Sequence, residues 1–158
     1  MRLVLRQAGH GVGRAAFLVL LGLVSARSSP RAEAQTPSGY QVVVNADNPI
    51  AEVPRADLSR WFLGQARRWP DGRVVLAVDQ SSRSEVRAAF CAGVHRQSRQ
   101  AVETYWQKQV NSGRAIPPSV KVGDDQVMAY VAKNAAAIGY VAAGATLVSG
   151  VKVVKVKE

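Results

Sequence analysis

Two periods alternate along this chain. Val42-Val43-Val44 is a run of β-branched residues bounded by Asn45, Asp47 and Pro49, and it predicts a buried strand within residues 40–45. A short helix follows from Pro54 or Asp57 through Phe62, because Leu58, Trp61 and Phe62 share one helical face. Gly64 suits the left-handed position that closes such a helix, and Pro70-Asp71-Gly72 reads as a tight turn. That turn returns the chain into a second apolar strand over residues 73–78.

The pattern then becomes helical. Ser82-Arg83-Ser84-Glu85 has the form of a capping box ahead of a helix carrying Val86, Ala89, Phe90 and Gly93. Ser98 can cap a longer helix with Val102, Tyr105, Trp106 and Val110 at helical spacing, ended by Asn111-Ser112-Gly113. Ile116-Pro117-Pro118 must be extended, since each proline removes a donor and restricts the residue before it. Gly123-Asp124-Asp125 opens a further helix bearing Val127, Met128, Tyr130 and Val131, which stops at Asn134. Two strands close the chain, over residues 137–141 and 151–156, and the lysines among the valines of the last one read as protection of a sheet edge. Helices alternating with strands predict an α/β domain with a mixed sheet flanked by helices.

The N-terminal stretch follows a different logic. Arg2, Arg6 and Arg14 precede the apolar run 15–24, and small residues lead to Ala32-Glu33-Ala34. This order predicts a signal peptide over residues 1–34, a flexible start over 35–39 and a domain over 40–158. A membrane span needs about 20 apolar residues, twice this run. No cysteine stands just after the run to take a lipid, so the expected product is soluble and periplasmic. Without residues 1–34 the chain keeps 16 basic against 10 acidic side chains, a net charge of +6. These basic residues are scattered and form no stripe interleaved with aromatics, which argues against a nucleic-acid partner.

Candidate chemistry is sparse. Cys91 is the single cysteine, so no intramolecular disulfide forms, and its place among Val86 and Phe90 marks it as a small buried filler. His95 has no second metal ligand in register. No paired carboxylates, Ser-His-Asp order or glycine-rich phosphate loop is present in the sequence, so a non-enzyme without cofactor or metal is expected. Trp61, Trp69, Tyr105 and Trp106 are expected to pack the core, and Arg67 and Arg68 to be a solvated turn.

The order Trp61-Phe62-Leu63-Gly64, Arg68-Trp69-Pro70-Asp71-Gly72, the Ser-rich helix start, Tyr105-Trp106, Gly113 with Pro117-Pro118, and Ala137-Ile138-Gly139-Tyr140 resembles the phosphate-binding proteins of phosphate ABC transporters. The likeness covers about residues 42–156 and implies one lobe of the type II periplasmic binding protein fold, about half the length of two-lobed relatives. The resemblance places an anion site at the start of the helix after the second strand, where backbone N–H groups and the helix dipole accept an oxyanion. Ser81, Ser82, Arg83 and Ser84 occupy that place here. Asp79 stands near the family's arginine, the Ser-Gly-Thr run of relatives is absent, and Glu85 follows the serines. Two functions follow as expectations. One is binding of phosphate or a related small anion for a membrane transporter. The other is a single-lobe envelope interaction module without solute, for which a second copy of the chain or another envelope protein would be the partner.

Overall fold

The computed structural model describes residues 39–158; the expected signal peptide and all of the flexible start before Gly39 lie outside them. Six strands form one mixed sheet: β1 (Tyr40–Asn45), β2 (Glu52–Pro54), β3 (Leu76–Gln80), β4 (Ser119–Lys121), β5 (Ala137–Ala142) and β6 (Val151–Lys157), in the spatial order β2-β6-β1-β5-β3-β4. β1 runs antiparallel to both β5 and β6, whereas β2 is parallel to β6, and β3 is parallel to β4 and β5. Four α-helices connect the strands: α1 (Arg55–Phe62), α2 (Glu85–Phe90), α3 (Arg99–Asn111) and α4 (Gly123–Lys133). α2 continues directly into a π-helical segment, Cys91–His95, which ends at Arg96 with a left-handed φ of 56°.

Side-chain alternation assigns the faces. Val42, Val44, Ile138 and Tyr140 point toward α1 and α2, where they join Leu58, Trp61, Phe62, Trp69 and Phe90. Phe90 stacks on Tyr140 with ring centroids 3.9 Å apart and meets Phe62 at 4.8 Å. Val43, Val78 and Val141 point the other way and are sealed by Val127, Met128 and Val131 of α4. Gly139 lets α4 settle on the sheet, because a Cβ there would fall 2.7 Å from both Val78 Cγ1 and Val127 Cγ1. Cys91 belongs to a smaller cluster with Leu63, Val102 and Trp106 beneath α3, and burial pushes its thiol up to about 11.

Several sequence expectations hold. Gly64 and Gly72 adopt φ of 67° and 87°, as the helix stop and the turn require. Ser98 caps α3 by accepting from the Ala101 N–H. Others are corrected. Regular pairing in the second strand starts at Leu76, because residues 73–75 first fold back on the preceding arm: Arg68 bridges Val74, and Val75 N–H donates to Arg67 O. β6 is not an edge, since β2 pairs with its residues 155–157; Lys157 meets Glu52, and Lys152 donates to Asn48 O. The edges are the short strands β2 and β4, which the hydrophobic pattern did not predict. Val110, expected on the apolar face of α3, is 50% exposed.

Candidate functional site

β3 runs two residues beyond its expected end and so carries Asp79 and Gln80 into the interior. This shift moves the helix cap. Ser84, not Ser82, is the N-cap of α2: its Oγ accepts from Arg87 N–H at 3.2 Å and donates to Gln80 Oε1 at 2.6 Å. The intervening residues form a turn closed by Ser84 N–H to Ser81 O, and Ser81 N–H donates to Lys121 O on β4. Of the four residues placed at the anion site by resemblance, Ser82 and Arg83 have exposed side chains, whereas Ser81 is half-buried and Ser84 is committed to its cap.

A buried polar network lies beneath this turn. Asp79 Oδ1 accepts from the Tyr140 hydroxyl and from Gln80 N–H, and its Oδ2 lies 3.1 Å from Arg87 Nη2. Burial holds the Asp79 carboxyl above the usual carboxylate range, against the opposing pull of Arg87 and of its two hydrogen-bond donors. Burial, reinforced by the Asp79 carboxylate, raises the Tyr140 phenol, so the hydroxyl remains a donor. Gln80 Nε2 donates to Asp124 Oδ1 and to Tyr140 O, while Asp124 Oδ2 accepts from Ala142 N–H. Asp124 therefore ties the start of α4 to β3 and β5 as well as opening the helix.

Arg87 is the residue that sequence reasoning missed. It lies on the α2 stripe that also buries Phe90 and Cys91, and an arginine in such a stripe is the available signal. Its side chain is only 9% exposed, and its Nη1 lies 3.7 Å from Glu103 Oε1 on α3. Arg87 Nε and Glu103 Oε1 are both buried and have no hydrogen-bond partner. Both residues line a cleft of about 430 Å³, with Asp79 beside Arg87 at its floor and Ser82 at its margin. One wall is a face of α3 at helical spacing, Glu103, Trp106, Gln107, Val110 and Asn111. Pro117, Pro118 and Val120 form the other wall.

The remaining candidates are structural. Trp61 and Trp69 pack together with centroids 4.6 Å apart, and their indole N–H groups donate to Arg68 O and Ala136 O. His95 is buried against Phe90 and shares a 2.8 Å hydrogen bond between Nδ1 and Ser59 Oγ; burial lowers its pKa to about 4. Arg67 and Arg68 are exposed.

No family model matches the chain, and no curated protein matches it. Solved structures do. A phosphate ABC transporter substrate-binding protein with bound phosphate from Clostridium perfringens is 18% identical, with a TM-score of 0.59 over 75% of this chain and 44% of that one. An ABC-type phosphate transport receptor from Vibrio cholerae is also 18% identical, with a TM-score of 0.51 over 75% of this chain and 46% of that one. The chain spans less than half the length of either protein. Its described residues share the mixed α/β fold of part of these proteins.

Proposed function

We propose that this chain is a periplasmic solute-binding-protein-like domain associated with ABC-type transport, and that the cleft floored by Arg87 holds its solute. The cleft carries the reading: Ser82 of the 81–84 turn lines it, and a nearly buried cation among its lining residues has one donor without a partner. The solved neighbours are named as transport binding proteins, which supports a non-enzymatic role. The basic and apolar leader supports export with cleavage after Ala34. A small oxyanion such as phosphate would enter past Ser82 and Arg83. Asp79 and Glu103 both face Arg87, so the arginine offers an oxyanion only part of its charge, and phosphate binding at this lobe is weak. Calorimetric titration of the purified protein with phosphate and sulfate tests this. Saturable heat that disappears in Arg83→Ala supports the 81–84 turn as the entrance, heat indifferent to that change leaves Arg83 out of the site, and no saturable heat with either anion counts against anion capture.

A second reading has its own observation. Val110 and Val120, at 50% and 55% exposed, line the cleft, and Ile116, at 87%, joins Val110 around an adjoining hollow, which together leave an apolar surface. In an interaction module this apolar surface docks on an envelope protein or a second copy of the chain, and no solute binds. Light scattering that gives a dimeric mass, reduced to monomer by Ile116→Asp, would favour it.

A further inference from the structure

We propose that the cleft between α3 and residues 117–120 accepts an uncharged, hydroxyl-bearing solute of the polyol or sugar class. The inference rests on the reading of this cleft as a solute site and names the chemistry it selects. Two groups decide the class. Arg87 Nε is a buried donor without a partner, and Glu103 Oε1 is a buried acceptor without a hydrogen bond. The same guanidinium approaches that oxygen no closer than 3.7 Å at Nη1, beyond hydrogen-bond reach, so a hydroxyl arriving beside the pair can donate to the carboxylate and accept from the guanidinium as the two side chains part slightly. Sulfate has acceptors only and leaves Glu103 open. An ammonium group has donors only and leaves Arg87 open.

Charge points the same way. Asp79 already balances Arg87 at 3.1 Å and has its other oxygen filled by Tyr140 and Gln80, so the floor does not require a ligand to bring either charge. With Glu103 counted, the lining carries two carboxylates against one guanidinium, which disfavours an anion. Higher on the walls, Ser82, Gln107 and Asn111 offer neutral donors and acceptors. Val110 and the two prolines offer a surface for C–H groups. An amphiphilic ring with hydroxyls on its rim matches both, and the cleft's volume lies within the range of small-molecule sites.

The test titrates the purified protein with glucose, N-acetylglucosamine, myo-inositol and glycerol beside phosphate, sulfate and butylammonium, and repeats it on Glu103→Met. Glu103 is 37% exposed at the edge of α3, so this variant keeps the fold, which its melting curve verifies. The expected result is saturable binding of a neutral polyol that weakens at least tenfold in Glu103→Met. Binding of phosphate, sulfate or butylammonium without any polyol overturns the proposed class but leaves a solute-binding lobe. Polyol binding unaffected by Glu103→Met overturns the site. Silence of the whole panel overturns both the class and the solute-binding reading.

Discussion

Beneath the middle of α4 the sheet is closed by hydrocarbon: Val43, Val78 and Val141 meet Val127, Met128 and Val131, Gly139 permits the close approach, and polar contacts are confined to the helix ends at Asp124 and opposite Asn45. On the opposite face, toward the end of β3, the interior holds Asp79 and Arg87, with the Tyr140 hydroxyl bonded to the carboxylate. One face is packed for stability, and the other keeps polar groups whose burial costs free energy unless each is paired. A buried ion pair is rarely the most stabilising filling for a core. Its presence beside a cleft, with an unpartnered donor on Arg87 and an unpartnered acceptor on Glu103, is what supports the proposed site on the second face.

Breaking the polar face should cost most. Arg87→Met leaves the Asp79 carboxylate buried without its cation, and we expect a loss of about 4 kcal/mol in urea unfolding. Adding Asp79→Asn should recover much of that loss; a double variant no better than the single one would show that the pair is not the cause. On the apolar face, Gly139→Val drives methyl groups into Val78 and Val127, with an expected loss of about 3 kcal/mol. A variant of wild-type stability would mean that α4 can move away at little cost.

Next comes a pH effect. His95 is held neutral by burial, with a pKa of about 4 against 6.5 in the unfolded chain. Its contribution is therefore fully present above pH 6.5 and is lost as pH falls toward 4, by about 3 kcal/mol over the interval. Asp79 acts in the opposite sense, because its folded value is raised: its protonation favours the native state as pH falls. In His95→Gln the loss between pH 6.5 and 4 should largely vanish from stability curves; an unchanged slope would assign it to other groups.

The smallest effect sharpens the local comparison within the turn. Ser84→Ala removes the helix cap and a bond to Gln80, with an expected cost of about 1 kcal/mol. Ser82→Ala, on an exposed side chain, should stay within about 0.5 kcal/mol. The reverse order would restore Ser82 as the cap.

Much of the apolar face was legible because its signals are local. Val42-Val43-Val44 and the 137–141 run have enough consecutive apolar residues to declare strands, and Gly64 and Gly72 sit where only a positive φ closes the turn. β2 and β4 were not legible, since three residues are too few to show a period and Pro54 ends one of them. The cap was misplaced because Ser82 with Glu85 satisfies a local pattern, while the true position depends on β3 extending through its parallel partners to Gln80. The cleft was least legible. Asp79, Arg87, Glu103 and Pro117 are far apart in sequence, and only the crossover from β3 through α2 and α3 to β4 brings them together.

The most direct measurement is a nitrogen-15 NMR titration of the purified protein with phosphate and with the neutral polyols, following the three tryptophan indole signals. Trp106 lines the cleft, whereas the Trp61 and Trp69 N–H groups are held by Arg68 O and Ala136 O in the core and serve as internal controls. The expected result is a saturable shift of Trp106, with the backbone signals of Ser82 and Asn111 moving alongside it, while Trp61 and Trp69 stay in place. Spectra unchanged up to about 10 mM, where even a millimolar site is filled, or shifts confined to residues away from α3 and the 117–120 wall, would contradict it.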